Sequence, residues 1–446
     1  MCRACHTAAM STHDARTDQI VGSIKDAFAP MMEADPKAFR TKYRKMAADP
    51  HAFYRGSACL YYADVTAQDD DWVNKQSGAI WIHGDLHAEN FGTYLSSDGR
   101  LVFDVNDFDE AYIGHFTWDL QRFAASLALL GWQKALPVEA IESLITRYVE
   151  AYLAQVDLYA GNEDGGDFAL NLDNTDGPVL DALMRARRVR RADLLDAMTF
   201  VDAGVRMFSH GRSVRKLPRR ERVAVEKAFH AYLDTIPKSK RFDRDLFYEL
   251  RDVVGKSGFG IGSAGLPAYS LLVEGYSQAL DNDVVLSMKQ ANVPALSRFV
   301  DSAAVDRYFD HEGHRTVVSQ RALQVHTDPL LGYCELAGTG FVVAEVSPYG
   351  VDLDWENITE PDDMALVVHL LGRATAKIHC ASDADSDQDL VDFQVEDAIV
   401  ASVKGRRREF TEHVVAWSID YAETVRADHA LFVEAFRSGK VGVAAT

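Results

Sequence analysis

The sequence lacks the features typical of membrane, nucleic-acid-binding and disulfide-stabilised proteins. None of its apolar runs approaches the roughly 18 consecutive residues of a membrane span, and the N-terminus has no apolar signal-peptide segment. Its five cysteines are few, odd in number and scattered, which argues against a disulfide framework. Lysine and arginine total 47 against 67 aspartates and glutamates, so the formal charge is −20. General nucleic-acid binders and membrane-surface proteins use positive fields, and this balance argues against both classes.

Apolar residues are abundant enough to build a large hydrophobic core. Of the 446 residues, 47% are hydrophobic and 10% are aromatic, a composition that excludes disorder as a description of the whole chain. The length favours two or three domain-sized units. These properties predict a cytoplasmic enzyme that holds cations in acidic pockets.

The hydrophobic pattern predicts helices at both ends of the chain and a β-rich segment between them. Strand-like runs occur at Ile80–Ile82 and Leu101–Phe103, and the helical spacing of Leu120, Phe123 and Leu127 follows. Together these changes predict an α+β protein. Its predicted parts are a helical N-terminal extension at 1–77, a second part at 78–245 that carries the motifs described next, a β-rich lobe at 246–350, and helices at 351–446 that pack on the second part.

Two arginine-rich patches lie near the middle of the chain, within 185–191 and 212–220. The surrounding sequence has helical character, and an acidic, turn-rich loop precedes the patches. We predict that both patches are solvated helix faces.

The segment 81–90, WIHGDLHAEN, contains the most informative spacing in the chain. Asp85 and Asn90 are separated by four residues, as are the catalytic aspartate and the metal-binding asparagine of a kinase catalytic loop. This spacing lets a carboxylate face an acceptor hydroxyl while an amide oxygen one turn later reaches a metal ion. Phosphoryl transfer depends mainly on positioning and charge neutralisation, so these polar side chains need a rigid support.

An acidic segment, FDVNDFDE, follows at 103–110. Asp104, Asp107 and Asp109 are all candidate ligands, because Mg²⁺ binds through one or two carboxylates together with phosphate oxygens. Asp107 is preferred because Gly114 and the sequence WDL at 118–120 follow it at the interval seen in small-molecule kinases. A rival hypothesis is a metal hydrolase with ligands among His83, Asp85, His87, Asp104 and Asp107.

These motifs together resemble a known kinase superfamily. HGDLHAEN, NDFDEA and G-x-x-x-W-D-L are similar to the catalytic segment of the aminoglycoside phosphotransferase and choline kinase superfamily. More closely, FYRGSA, HGDLHAENFG, VFDVNDFDEA and WDLQRFAAS resemble the bacterial kinase-like family called domain of unknown function 2252. The similarity extends over most of the chain, from about Arg44 to the last helices.

The resemblance implies a role for five residues. Asp85 would be the catalytic aspartate, and Asn90 and Asp107 would hold Mg²⁺. His83 would be a buried hydrogen-bonding support for the loop, and Asp119 would support the helical lobe. The resemblance implies no acceptor substrate.

The elements that hold a nucleotide in such kinases are predicted after this loop rather than before it. The segment 256–265, KSGFGIGSAG, is glycine-dense, and glycines let backbone N–H groups approach phosphates. In the following strand, Val284–Lys289, alternation puts Lys289 on the face opposite Val284, Leu286 and Met288, where it can reach ATP phosphates. Backbone groups near 344–347 are candidates for adenine binding. The predicted nucleotide-binding residues are Gly258, Gly260, Gly262, Ser263, Gly265, Lys289, Ala344 and Val346.

This order of elements predicts a protein-kinase-like two-lobed fold that is circularly permuted. The catalytic and metal loops come first and the nucleotide lobe is inserted later, which is tolerated where the old and new ends are close in space. The expected cofactors are ATP and Mg²⁺. The expected partners are this nucleotide and an unidentified hydroxyl-bearing small molecule, with no nucleic acid and no membrane.

One departure from the kinase pattern leaves alternatives open. A kinase pairs its strand lysine with a glutamate of the next helix, but Gln320 and Arg321 occupy that region here, and Glu312 is another possible partner. A catalytically weak nucleotide-binding protein is therefore one alternative. Transfer of AMP rather than phosphate on the same fold is another.

Overall fold

The computed structural model describes residues 3–161, 168–211, 213–242, 247–256, 266–300, 303–324, 326–384 and 388–444. Lys289, Ala344 and Val346 lie within these ranges. The predicted phosphate-binding residues of the glycine-rich segment lie outside the described residues: Gly258, Gly260, Gly262, Ser263 and Gly265.

Helices make up most of the described chain. In chain order, the α-helices of the described residues are α1 (Arg3–Ala34), α2 (Pro36–Met46), α3 (Pro50–Arg55), α4 (Ala58–Val65), α5 (Phe116–Gln133), α6 (Val138–Ala160), α7 (Gly177–Ala186), α8 (Arg191–Met198), α9 (Arg219–Leu233), α10 (Ala303–Tyr308), α11 (Glu312–Leu323), α12 (Pro361–Cys380), α13 (Val395–Val403) and α14 (Arg407–Arg437). A short 3₁₀ turn at Phe108–Glu110 lies in the acidic segment.

The strands form one larger antiparallel sheet and several small ones. In chain order, the strands of the described residues are β1 (Ile80–Ile82), β2 (Phe91–Leu95), β3 (Leu101–Val105), β4 (Tyr112–Gly114), β5 (Leu170–Asn171), β6 (Thr199–Asp202), β7 (Val205–Phe208), β8 (Val214–Arg215), β9 (Leu250–Lys256), β10 (Ala268–Val273), β11 (Val284–Gln290), β12 (Gly332–Leu336) and β13 (Thr339–Glu345). The larger sheet has the order β12-β13-β11-β10-β9-β8. Elsewhere β1 pairs with β4, β3 pairs with β2 on one side and β5 on the other, and β6 pairs with β7.

The helical core is built from both ends of the chain. Helix α5 buries Leu120, Phe123 and Leu127, whose spacing puts them on one face, and α6, α12 and α14 belong to the same hydrophobic cluster. Residues 80–127 and 364–436 therefore share one core although they are far apart in sequence. This core carries the two loops on which the sequence analysis concentrated.

The larger sheet has a separate core on each of its faces. One face, with Leu271 and Leu286, packs on α9, while the other, with Leu272 and Val285, packs near Leu195 of α8. Strand β10 is buried along its whole length because both faces are covered, which explains its continuous apolar sequence. Helix α9 and strand β8 belong to this part of the molecule although both precede residue 246.

The α+β class predicted from the sequence is confirmed, and the prediction that both arginine-rich patches are helix faces is wrong. In the first patch, Arg187, Arg188 and Arg190 lie in the connection between α7 and α8. The second arginine-rich patch is not a helix face throughout, because Arg215 lies in β8 at the sheet edge and only Arg219 and Arg220 begin α9. Pro218 stops the strand and leads into the helix. In the described part of the chain, every helix is too short or too polar to cross a lipid bilayer.

Candidate functional site

The loop 83–90 leaves β1 and passes close to the acidic segment. Gly84 has φ of +82°, and a Cβ atom there would lie 2.0 Å from the backbone oxygen of Glu110. Only glycine tolerates both the left-handed backbone and this contact. The Tyr62 hydroxyl donates to the Gly84 carbonyl at 2.7 Å. The two motifs found in the sequence are therefore in direct contact at this glycine.

His83 and Asp119 hold the start of the loop in place. Asp119 accepts hydrogen bonds from the backbone N–H groups of His83 at 2.6 Å and Gly84 at 3.0 Å. His83 Nε2 lies 2.8 Å from the carbonyl oxygen of Asn106 and therefore donates, while its Nδ1 accepts the N–H of Asp85 at 3.3 Å. Both side chains are fully buried.

His379, at the end of α12, joins this network and affects the charge of Asp119. Its Nε2 lies 3.2 Å from Asp119, and its Nδ1 is 2.9 Å from the Tyr152 hydroxyl. Burial alone would raise the pKa of Asp119, but the hydrogen bond and charge of His379, with the nearby His83, lower it below its usual range. Asp119 is therefore an ionised anchor for the loop.

Asp85 is bound through one of its two carboxylate oxygens. Arg122 of α5 donates to Oδ1 from Nε at 2.7 Å and also from Nη2. The Arg122 guanidinium is fully buried and contacts the rings of Tyr54 and Tyr61, at 4.5 and 4.9 Å from their centres. Burial raises the pKa of Asp85, although the charge of Arg122 acts in the opposite direction. The Asp85 side chain is 17% exposed and forms part of a pocket wall.

Asn90 is hydrogen-bonded both to its own loop and to the acidic segment. Its side-chain N–H₂ donates to the Asp85 carbonyl at 2.9 Å, which points the amide oxygen away from this bond, and its own carbonyl accepts the N–H of Asn106 at 3.0 Å. The side chain is 5% exposed. Asn90 and Asp107 are thus linked through the backbone of Asn106.

Asp107 is exposed and has a left-handed backbone with φ of +62°. A non-glycine residue in this region costs about 1 kcal/mol or more, and such strain is often found at functional sites. Among the three candidate aspartates, Asp104 is different because it is buried in an ion pair with Lys377 of α12. Lys377 also donates to the Leu323 carbonyl at 2.9 Å. Asp104 is therefore a structural group rather than a metal ligand.

The acidic segment is clamped by α11. Arg315 donates to the carbonyls of Ala111 at 2.6 Å and Asp109 at 2.8 Å, and it pairs with Glu312 at 2.6 Å. Gln324 donates to the Val105 carbonyl at 3.0 Å. Since Glu312 is engaged by Arg315, the acid considered as a partner for Lys289 serves this clamp instead.

A cleft of about 640 Å³ lies between the larger sheet and the segment 92–109. Lys289, Ala344 and Val346 line it, and Asp107 and Asp109 line it from the helical part. The volume is within the usual range for ligand sites. Lys289 and Asp107 therefore face the same cavity, as the sequence-based model required.

The sheet presents small side chains to this cleft. Ser270 pairs with Ser287 in the antiparallel register, and Ser287 pairs with Ala344, so the three lie side by side across three strands. Lys289 is paired with Val342 two residues further along. The alternation predicted for β11 is present, since Leu286 and Met288 lie in the sheet core.

Lys289 has no glutamate of α11 beside it in the cleft lining. The α11 residues that line the cleft are Thr316 and Gln320, neither of which is acidic. The Gln320 amide donates to Gln324 at 3.0 Å. Burial and the negative charge of Asp107 together raise the pKa of Asp109 to about 6, and the positive charges of Lys289 and Arg315 oppose this shift. Asp109 is thus the carboxylate that interacts electrostatically with Lys289.

Three residues at this site were missed by sequence reasoning: Arg122, Arg315 and Lys42. Lys42 is described below, and each of the three is a cation on the buried face of a helix. A charged residue at a core position of the helical pattern is the signal that could have identified them.

The ligand set of the metal-hydrolase hypothesis does not assemble. His83, Asp85 and Asp104 each have the protein partners described above. In the ranges that the structure describes, no group of three or more His, Cys, Asp or Glu side chains has the geometry to hold a metal ion. A magnesium ion held by one carboxylate, one amide oxygen and phosphate oxygens does not require such a group.

Comparison with known proteins identifies a family but no described relative. A family model described as "Uncharacterized protein conserved in bacteria (DUF2252)" matches residues 34–435. Neither the curated proteins nor the solved structures gave a match. The matched range covers most of the chain, including both loops, the cleft and helices α2–α13. The chain therefore belongs to the bacterial family DUF2252.

Proposed function

We propose that this protein is a Mg²⁺- and ATP-dependent phosphotransferase that phosphorylates a hydroxyl group of a small molecule. The observation that carries the proposal is the position of Asp107 and Asp109. Both line the cleft that contains Lys289, and both also line a smaller neighbouring pocket that contains Asp85. A transferring phosphate at this boundary would meet cationic, metal-binding and acceptor-orienting groups at once.

The cleft lining supports a nucleotide as the donor. Small side chains at Ser270, Ser287 and Ala344 leave room for a flat base against the sheet. Beyond β13, the Val346 N–H donates to the Val285 carbonyl at 2.8 Å, so this N–H is not available to adenine, contrary to the expectation from the sequence, although Val346 and Ser347 line the cleft. Lys289, on the same face of the sheet, would bind the α- and β-phosphates.

The residues on the helical side fit a divalent cation. Asp107 offers an exposed carboxylate, and the amide nitrogen of Asn90 is fixed to the Asp85 carbonyl, which leaves its oxygen for a ligand. Hard oxygen donors of this kind suit Mg²⁺, which neutralises charge on the β- and γ-phosphates when bound. The clamp formed by Arg315 and Gln324 keeps the segment that carries Asp107 in place.

Asp85 would orient the acceptor and take its proton. Arg122 fixes Oδ1, so the other carboxylate oxygen faces the small pocket and is the one that accepts the hydroxyl hydrogen bond. The acceptor oxygen forms a bond to the γ-phosphorus, the bond from that phosphorus to the bridging oxygen breaks, and ADP leaves. The hydroxyl proton passes to Asp85, whose pKa is raised by burial.

The absence of an α11 glutamate from the described cleft lining favours a second candidate, a nucleotide-binding protein with little turnover. Gln320 lies where the kinase pattern has an acid. Asp109 replaces the negative charge of the missing glutamate only in part, because burial and the charge of Asp107 favour the protonated form of Asp109. Tight ATP binding without product on any hydroxyl compound would support this candidate.

Labelled ATP tests the proposal directly. ATP labelled at the γ-phosphate should transfer its label to a hydroxyl acceptor, and ATP labelled at the α-phosphate should not. Label transferred from the α position would instead indicate nucleotidyl transfer. Asp107→Ala should abolish transfer, whereas Asp202→Ala, which changes an exposed acid on β6, should leave it unchanged. Unchanged turnover in Asp107→Ala would refute the assignment.

A further inference from the structure

A small pocket next to the cleft has a buried lysine in its wall. It has a volume of about 50 Å³ and shares Asp107 and Asp109 with the cleft. Lys42 of α2 and Phe28 of α1 line it on one side, and Asp85 lines it on another. The pocket is therefore continuous with the groups assigned to phosphoryl transfer.

Most other charged groups in this pocket already have protein partners. Glu110 accepts the Ala295 N–H at 2.5 Å, and Arg55 forms an ion pair with Glu89. Arg298 donates to the carbonyls of Asp26 and Ala27 at 3.1 and 3.3 Å. Asp85 is bound by Arg122 through one oxygen, which leaves the other for a ligand.

Lys42 is the exception among the pocket cations. Its side chain is 3% exposed, and its Nζ contacts the Phe28 ring at 3.8 Å and the Phe39 ring at 5.7 Å. In the described ranges, Lys42 Nζ makes no hydrogen bond and no ion pair. A buried ammonium has three donors, and aromatic rings replace only part of its lost hydration.

Helix α2 forces the lysine into this position. The Asp35 carboxylate caps the helix by accepting the Ala38 N–H at 2.9 Å, and Pro36 begins it. Phe39, Lys42 and Tyr43 then occupy its buried face, at a spacing of three to four residues. An apolar residue at position 42 would fit this buried face better, and the ammonium, unpaired among the described residues, lies in the pocket wall, where a ligand could bind it.

We propose that the acceptor is a small hydroxy acid or its phosphate analogue, whose anionic group binds Lys42 while its hydroxyl faces Asp85. This inference rests on the proposed function for the role of Asp85. The anion would supply the hydrogen bonds and the opposite charge that Lys42 lacks. One water molecule needs about 10–15 Å³ of such a cavity, so a pocket of about 50 Å³ holds only a few non-hydrogen atoms. A carboxylate and its neighbouring carbon fit within that limit.

Calorimetric titration without nucleotide tests this inference separately from catalysis. The probes are glycerate, glycerol 3-phosphate, glycerol and choline, which carry hydroxyl groups with a carboxylate, a phosphate, no charge and a positive charge. We expect one of the two anions to bind about tenfold or more tightly than glycerol or choline. Whether glycerate or glycerol 3-phosphate binds more tightly also shows whether the pocket prefers a carboxylate or a phosphate. Equal binding of glycerol, tighter binding of choline, or no binding of either anion at millimolar concentration would overturn the inference.

Matched variants locate the effect. Lys42→Met should bring binding of the anion down to the level of glycerol, whereas Lys45→Met, an exposed change on the same helix, should not change it. The ATP-induced shift in Tm, measured on both variants, shows that the fold is retained. If ATP fails to bind while the anion binds through Lys42, the inference stands and the kinase proposal falls. If Lys42→Met phosphorylates the anionic acceptor with wild-type kcat and KM, the kinase proposal stands and the inference falls.

Discussion

Arg122 binds Asp85 through one carboxylate oxygen only, with Nε at 2.7 Å from Oδ1 and Nη2 donating to the same atom. The arrangement orients the carboxylate without occupying its second oxygen. The buried guanidinium is also stabilised by the rings of Tyr54 and Tyr61 and by the Tyr54 carbonyl, which accepts a hydrogen bond from it at 3.2 Å. We regard Arg122 as a positioning residue for Asp85.

Replacing Arg122 by lysine should lower kcat while leaving KM for ATP unchanged. Lysine keeps the positive charge but cannot make the two hydrogen bonds of the guanidinium, so Asp85 loses its fixed orientation. We expect a loss of about tenfold to a hundredfold in kcat, from the usual effect of misplacing a general base.

Asp85→Asn serves as the comparison for that variant. It should lose more activity than Arg122→Lys and should retain ATP binding, because Asp85 does not line the nucleotide cleft. Equal kcat in wild type and Arg122→Lys would show that Arg122 has no role in positioning.

Gly84 and Gly99 form a matched pair for testing the contact between the two loops. Both have φ of +82°, but a Cβ at Gly84 meets the Glu110 backbone at 2.0 Å, whereas a Cβ at Gly99 has no neighbour within 4 Å. Gly99→Ala should lower the free energy of unfolding by about 1–2 kcal/mol, the cost of the left-handed backbone. Gly84→Ala should cost clearly more, because the loop must also move. Urea unfolding of both variants measures the difference, and equal losses would contradict the close packing of the loops.

The buried pair of Asp104 and Lys377 should be strongly coupled. Lys377→Met leaves an uncompensated buried carboxylate and should cost about 3–5 kcal/mol of unfolding free energy. Asp104→Leu should cost about the same, because it leaves the buried ammonium of Lys377 without its partner. The double variant should recover most of this loss, since paired apolar replacements are often tolerated. A double-mutant cycle in urea measures the coupling, and additive losses would show that the two groups act independently.

Lys42 should make stability depend on pH in the alkaline range. Burial lowers the pKa of Lys42 from 10.5 to about 8, and the nearby carboxylates of Glu110 and Asp85 oppose this shift only in part. Between these values the unfolded chain binds the proton that the folded chain releases, so this group makes stability rise with pH. Below about pH 8 the charged lysine costs about 3 kcal/mol relative to its free form.

Lys42→Met removes that contribution and supplies the measurement. The variant should be more stable than wild type near neutral pH, and the difference should shrink as pH rises from about 8 to 10.5. Comparing the two proteins cancels the ionisation of the buried tyrosines. A difference that does not change with pH would contradict the burial of a charged lysine.

Local patterns predicted the elements of the nucleotide side closely. Val284–Lys289 was predicted as a strand and is β11, which ends one residue later, at Gln290. Lys289 faces the cleft because alternation in a strand is a local property. The glycine-rich segment remains a prediction, because it lies outside the described residues.

Partners distant in sequence could not be predicted in the same way. Asp104 remained a candidate ligand beside the preferred Asp107, because its partner Lys377 is 273 residues away in the sequence. Arg122 reaches Asp85 across 37 residues. Buried polar pairs of this kind are set by tertiary packing, and a single sequence carries only the hint of a charge on an apolar face.

A double-mutant cycle on ATP binding tests the central claim most directly. Wild type, Asp107→Ala, Lys289→Met and the double variant are titrated with ATP and Mg²⁺, with Lys404→Met as an exposed control. The account predicts that each single variant weakens binding and that their effects are coupled by about 0.5 kcal/mol or more, since both residues contact one nucleotide. Wild-type affinity in either single variant, or strictly additive losses, would contradict a nucleotide held between the two sides of the cleft.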